Sequence, residues 1–323
     1  MRYIITGASG HIGNNLVRYI NQVEPSATVV ALTRRKIFTE LSGAICQQVI
    51  GDISSKDFLD SVIQPTDKVI HLAGVIDLTD KKQDLLYNVN YLGAKTITDV
   101  CLQKNVAKYI YVGSVDAIYK PVDTIIYEPT DYPTKDLVGG YAKTKAMATG
   151  YVKSVIDNNP NFNASYVLPS AVVGEYDFKP SAVGKIILNT ILNKPEIGLK
   201  GGYNFVAVSD VVKAIYKLLN LDVKDGFILS GEPATVKDFY LYINSSINRK
   251  AKPIILPTFV AKLAMPFVKI LNKITLKALA DPHNYSNQKA KQVLGIDFLS
   301  AKASVDRACK WFIDNKNLFT DKK

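Results

Sequence analysis

Short apolar runs alternate with longer helical patterns over the first half of the chain. Runs of strand length stand at Tyr3–Thr6, Thr28–Leu32, Cys46–Ile50, Lys68–Leu72, Tyr109–Val112 and Ser165–Leu168. Helix-like stretches lie between them, at 11–22, 54–63, 81–104 and 139–158. Strands that read as near-continuous apolar runs are buried on both faces, and strands alternating with helices are joined by right-handed crossovers. The pattern predicts an α/β, doubly wound Rossmann-type fold, with a parallel sheet covered by helices on both sides.

After Pro169 the rhythm changes. Glycine and proline interrupt more often, and shorter pieces follow at Phe205–Leu221, Phe227–Ser230 and Val236–Asn248. The expected organisation is a dinucleotide-binding domain over 1–170, with 204–230 returning to it. Residues 171–203 and 231–323 form a smaller C-terminal substrate lobe.

Composition narrows the class. A chain of 323 residues with 47% hydrophobic content can bury one large core, or one core with a smaller lobe. Cys46, Cys101 and Cys309 are odd in number and widely spaced, which is neither a disulfide framework nor a metal spacing. His11, His71 and His283 are equally scattered, so no metal site is expected. The first strand starts within two residues of Met1, which leaves no room for a signal peptide. No run of 18 or more apolar residues suggests a transmembrane helix. A soluble, cytoplasmic protein is expected.

The formal charge of +11 is concentrated late in the chain, where residues 250–323 hold fourteen Lys/Arg against five Asp/Glu. A basic excess can serve nucleic acid, an anionic membrane or an anionic substrate. No nucleic-acid motif accompanies it, so a lysine-rich solvated surface is expected and nucleic acid is not. From Phe239 to Ala280 no acidic residue occurs, and Lys262, Lys269, Lys273 and Lys277 share one helical face. Pro266 should break or kink this stretch. Residues 257–280 are expected to cover the substrate pocket with their apolar face. The alternative is an amphipathic segment on an anionic membrane surface.

Two groups of residues carry chemistry. The first is Gly7-Ala8-Ser9-Gly10-His11-Ile12-Gly13, placed directly after the first strand. Glycines there permit a tight turn and let the backbone approach a pyrophosphate, and the following helix start offers free N–H groups. A nicotinamide dinucleotide is the implied cofactor, held by Gly7, Ser9, Gly10, His11, Ile12 and Gly13. An NAD site has an acid after the second strand for the adenosine ribose. Here that position reads Thr33-Arg34-Arg35-Lys36, with no acid before Glu40. Arg34 suits a 2′-phosphate, so NADP (NADPH) is favoured over NAD. After the third strand, Asp52 can accept from the adenine amine and Ile53 can pack on its ring.

The second group is Tyr141 and Lys145, one helical turn apart, with Ser114 at the end of another apolar run. Reducing a carbonyl needs a hydride and a proton. A free phenol near pKa 10 is a weak base for the reverse reaction. A lysine one turn away stabilises the phenolate. Singly, each residue reads equally well as packing or capping; together and in order they point to acid–base chemistry beside a nicotinamide.

These residues resemble the extended short-chain dehydrogenase/reductase family, within the NAD-dependent epimerase/dehydratase superfamily. The resemblance extends over nearly the whole chain. It includes Thr6-Gly7-x-x-Gly10-x-x-Gly13, Gly51-Asp52-Ile53, His71-Leu72-Ala73-Gly74 and Asn90-Tyr91-Leu92-Gly93-Ala94, the last with Ala94 in place of threonine. It continues through Leu168–Gly174, Phe205–Val212 and Gln288–Gly295. It implies that Leu72, Ala73, Gly74 and Pro169 line the cofactor and that Lys145 holds the nicotinamide ribose. It further implies that Ser114 holds the substrate oxygen in line with Tyr141, and that Asn90 supports a water feeding Lys145. The family is compatible with a homodimer.

Gly113-Ser114-Val115-Asp116-Ala117-Ile118-Tyr119 looks most like the dihydroflavonol reductase branch. Sugar dehydratases carry Thr-Asp-Glu in this region, and only the aspartate survives here. The resemblance therefore implies an NADP-dependent reductase of a small, apolar or aromatic carbonyl substrate. The alternatives are an NAD-dependent nucleotide-sugar epimerase and a non-catalytic nucleotide-sensing module. Pocket candidates are Val115, Asp116, Tyr119, Tyr176, Phe178 and Phe205.

Overall fold

The computed structural model describes residues 1–121, 124–260, 274, 276, 279 and 284–320. Its main sheet has seven strands in the order β3-β2-β1-β4-β5-β7-β11. These are β1 (Arg2–Thr6), β2 (Thr28–Thr33), β3 (Gln47–Ile50), β4 (Lys68–His71), β5 (Lys108–Val112), β7 (Ala164–Pro169) and β11 (Gly226–Leu229). Every neighbouring pair is parallel. The strand order reverses between β1 and β4, and ligands of open α/β sheets bind in the crevice beyond the strand ends at such a point.

The apolar runs are buried twice over, and side-chain alternation divides them between two cores. Ile4, Val30, Leu32, Val69, Tyr109 and Tyr111 pack on one face, with Ala94, Ile97, Val100, Ala146 and Val152 from α4 (Gly93–Lys104) and α5 (Gly140–Asn158). Tyr3, Ile5, Val29, Ala31, Ile70 and Ile110 pack on the other. Here Leu16, Val17 and Ile20 of α1 (His11–Val23) meet Val211, Ile215 and Leu218 of α7 (Val208–Leu218). Each fully buried aliphatic side chain of this kind stabilises the fold by roughly 1.5–3 kcal/mol relative to exposure.

The stretch expected as one helix over 81–104 is three consecutive pieces. A short α3 (Gln83–Leu86) runs into a π-helical turn at Tyr87–Leu92 and then into α4. A π turn inserts a residue without ending the helix, so apolar spacing does not reveal it, and such turns gather at functional sites.

The return of 204–230 to the first domain divides in two. Strand β10 (Gly202–Ala207) does not join the main sheet. It pairs with β8 (Ala171–Val173) and β12 (Glu232–Thr235) in a separate three-stranded sheet. Only α7 and β11 return. The lobe has its own core, in which Phe205, Phe239, Ile243, Val305 and Phe312 are buried. Its helices α6 (Ala182–Ile191), α8 (Val236–Ser246) and α10 (Ala301–Asp314) pack together, with α9 (Gln288–Leu294) against α7 and β11.

Polar bonds fasten the lobe to the first helix. His11 Nε2 lies 2.9 Å from the Glu175 carbonyl, Asn15 donates to the same oxygen at 2.9 Å, and Asn14 donates to the Tyr176 carbonyl at 3.1 Å. Within the lobe, Arg307 donates to the Glu175 carboxylate at 2.7 Å. Of 257–280, the described residues are 257–260, Ile274, Leu276 and Leu279; the rest of the expected cover lies outside the described residues.

Candidate active site

The glycine turn leaves β1 at Thr6. The Thr6 hydroxyl accepts the backbone N–H groups of Leu72 and Ala73, at 3.2 and 3.1 Å. Its own proton is then left for His71 Nδ1, 2.8 Å away. This ties the ends of β1 and β4 together. At Gly7, with φ of +70°, a Cβ would stand 2.7 Å from the Ala73 nitrogen. At Gly13 it would stand 2.2 Å from the Gly7 carbonyl oxygen. Only glycine permits both close approaches. Helix α1 begins at Gly10 with no side-chain cap and no acid in its first turn, so its leading N–H groups are open to an anion. That donor set fits a pyrophosphate. The His11 ring points away to fasten the lobe through the Glu175 carbonyl.

At the end of β2, Arg34, Arg35 and Lys36 are all exposed. The Thr33 hydroxyl beside them is buried without a partner among the described residues. Glu40, the first acid after β2, is buried and ion-paired with Lys179. Asp52 is exposed and accepts the Ser54 N–H at 2.9 Å. That bond holds its carboxyl below the ordinary value, and the Arg34 charge adds to the effect. Arg34 and Asp52 thus face the same corner. Ile53 is half-buried against α4.

The reacting end lies beyond β4 and β5. Asn90, buried in the π turn, accepts the Val75 N–H at 2.7 Å and donates to the Val75 carbonyl at 2.9 Å and to Thr144 Oγ1 at 3.3 Å. It clamps the turn that contains Gly74. A Cβ at Gly74 would stand 3.3 Å from Asn90 Oδ1 and 3.4 Å from Lys145 Nζ, so the three residues share one spot. Lys145 is buried, donates to the Val112 carbonyl at 3.2 Å and lies 5.4 Å from the Tyr111 ring centroid. Burial pulls its ammonium down to about 8, so it keeps its charge near neutral pH.

Ser114 follows β5 and caps the helical turn Val115–Ala117, its hydroxyl accepting the Asp116 N–H at 3.1 Å. The phenol of Tyr141, on α5, is pushed above its ordinary value, first by burial and then by the Asp116 carboxylate. Ser114 and the Lys120 ammonium act in the opposite sense. Ser114, Tyr141, Lys145, Asn90 and Gly74 are therefore brought together. Lys120 is a cation acting on the phenol that the sequence did not mark.

The pocket candidates divide. Asp116 stays beside Tyr141, and Tyr119 is exposed. Val115 is buried in the first core. Phe205 stacks on Phe239 with ring centroids 4.6 Å apart. Tyr176 and Phe178 pack against Trp311, at 6.0 and 5.2 Å, with the Arg18 guanidinium 4.4 Å from the Tyr176 ring. These aromatics belong to the lobe's packing and its seam with α1. Lys120, Tyr203 and Tyr285 were not foreseen. Lys120 Nζ lies 2.7 Å from Asp116 Oδ1 and 5.9 Å from the Tyr285 ring centroid. Tyr203 is pushed up, first by burial and next by Asp116. The i, i+4 spacing of Asp116 and Lys120 was visible, but nothing marked the segment as facing Tyr141.

A glycine turn on β1 and a Ser–Tyr–Lys set beyond β5 define an NAD(P)-dependent oxidoreductase of the short-chain dehydrogenase/reductase type. The chain belongs to the NAD dependent epimerase/dehydratase family, whose model matches residues 3–227. It is similar to sterol demethylase protein B of Methylococcus capsulatus, with 22% identity over 97% of this chain and 98% of the relative. A putative dihydroflavonol 4-reductase of Synechocystis sp. is 25% identical over 96% and 94%. The mouse sterol-4-alpha-carboxylate 3-dehydrogenase, decarboxylating, is 24% identical over 90% and 85%. Among solved structures, gox2253 matches with a TM-score of 0.83 and 24% identity, covering 97% of this chain and 98% of that one. MoeE5 in complex with UDP-glucose and NAD matches at 0.79 and 17%, covering 98% and 100%. No described helix is long and apolar enough to cross a membrane.

Proposed function

We propose that this chain is an NADP-dependent oxidoreductase that interconverts a carbonyl and an alcohol on an apolar, ring-bearing small molecule. The observation that carries this reading is the meeting of Ser114, Tyr141, Lys145 and Asn90 beyond the ends of β4 and β5, beside the glycine turn. When bound, the nicotinamide supplies the hydride for reduction or accepts it in oxidation. Tyr141 gives its phenolic proton to the substrate oxygen in reduction and takes it back in oxidation. Ser114 orients that oxygen. Lys145, charged near neutral pH, holds the ribose and returns the proton to Tyr141, and Asn90 supports the water that supplies it.

Exposed Arg34 and the Thr33 hydroxyl, unpartnered among the described residues, favour the 2′-phosphate of NADP, and Glu40 is committed to Lys179. MoeE5 is described with NAD, which makes NAD the cofactor to test against. Relatives named for sterols and dihydroflavonol support a fused-ring, apolar substrate. The test is steady-state NADPH oxidation with a panel of 3-keto steroids, flavanones and simple ketones. Turnover on a ring ketone, lowered about 10²-fold or more in Tyr141→Phe, is the expected result. Undiminished turnover in Tyr141→Phe overturns the assignment.

A further inference from the structure

Tyr141 has charged neighbours on two sides. From β5 and its own helix come Tyr111 and Lys145, with Lys145 Nζ bonded to the Val112 carbonyl. From the other side comes the short helical turn Val115–Ala117, which packs against α5 and presents Asp116 and, just after it, Lys120. The turn is held to the site by the Asp116 N–H on Ser114 Oγ at 3.1 Å. The Asp116–Lys120 pair closes at 2.7 Å, with side-chain exposures of 37% and 20%. An exposed i, i+4 pair contributes little to stability. This one is different in position: Lys120 is mostly enclosed, with Tyr285 beside it, and Tyr203 of β10 lies within the field of both charges. Asp116 and Lys120 act on the Tyr141 phenol in opposite senses.

We propose that the Asp116–Lys120 ion pair sets the acidity of Tyr141 from the substrate side, with Lys120 as a second cation that Asp116 partly neutralises. Both are positioning residues that act only through Tyr141. The proposal rests on Tyr141 being the group that moves the proton. Its chemical sense is a division of labour. Lys145 sits deep on the cofactor side, bonded to a carbonyl. Lys120 sits with Asp116 on the segment beyond Ser114, where partial enclosure strengthens the action of both charges.

The pH profile of kcat/KM in the oxidation direction tests it, because activity there rises as the phenol deprotonates. Asp116→Asn removes the anion that opposes phenolate, so the limb moves to lower pH. Lys120→Met removes the cation and leaves Asp116 unopposed, so the limb moves to higher pH. A shift of about one pH unit is the scale for a neighbouring charge. Lys120→Arg keeps the charge and should leave the limb near its original place, and the double variant Asp116→Asn/Lys120→Met should fall between the single ones. Circular dichroism melting establishes that each variant is folded; if Lys120→Met is not, Asp116→Asn decides alone. A limb unmoved by Asp116→Asn overturns the proposal. Undiminished activity in Tyr141→Phe, by contrast, overturns the underlying reading of Tyr141.

Discussion

At the scale of single residues, the site depends on side chains whose partners are already committed elsewhere. Glu40 illustrates this at the nucleotide end. It is the first acid along the chain after β2, yet Lys179 holds it, while Arg34 is exposed at the end of that strand. A charge-assisted bond from an arginine to a phosphate contributes roughly 1.5–3 kcal/mol. Arg34→Ala should therefore weaken NADPH by about 10- to 150-fold while leaving NADH nearly unchanged. Isothermal titration of both nucleotides checks this; tighter NADH than NADPH binding to the unaltered chain would count against the NADP assignment. The candidate set was legible because Tyr141 and Lys145 stand one turn apart on α5 and Ser114 follows β5 closely. Lys120 was not, because its approach to Tyr141 depends on how the chain turns after β5. The ring contacts of Tyr176, Phe178 and Phe205 were not legible for a related reason: an aromatic reads the same in sequence whether it lines a pocket or packs on other rings.

At the scale of elements, strand-length apolar runs translated into the main sheet with boundaries moved by a residue or so, as between Cys46–Ile50 and the observed Gln47–Ile50. The π turn at Tyr87–Leu92 and the pairing of β8, β10 and β12 were hidden, the first by continuous helical spacing and the second because a three-residue strand carries no period. Where α5 meets its neighbours, Gly139 has φ of +91°, and a Cβ there would stand 3.0 Å from Ile274 Cδ1. This ties one described residue of the 257–280 stretch to the start of the helix that carries Tyr141. Gly139→Ala should cost about 1–3 kcal/mol from backbone strain alone, because positive φ with extended ψ is essentially a glycine conformation, and crowding of Ile274 adds to it. A lowered melting temperature with a reduced kcat is expected. An alanine variant as stable as the original would mean that this junction relaxes without cost.

At the scale of the whole molecule, the sheet holds a buried imidazole that links stability to pH. His71 is fully enclosed where β4 ends; burial, and next the Lys145 charge, push it down to about 3 from an ordinary 6.5. Below pH 6.5 the unfolded chain binds a proton that the folded chain refuses, so stability is full above that value and falls as the pH drops towards 3. One such proton gives a slope of about 1.4 kcal/mol per pH unit. Chemical denaturation between pH 7 and 5 should show that slope, and His71→Gln should reduce it by one proton's worth. An unchanged slope would mean that His71 is protonated in the fold. On the proposed reading, hydride passes between a nicotinamide and a substrate carbon while Tyr141 handles the proton. The most direct test is isotopic. NADPH carrying deuterium at the transferred position of nicotinamide C4, given with a ring ketone that the enzyme turns over, should yield alcohol with deuterium on the carbinol carbon, and Tyr141→Phe should slow that product about 10²-fold or more. Alcohol formed without the label, or an isomerised substrate with no net consumption of NADPH, would contradict it.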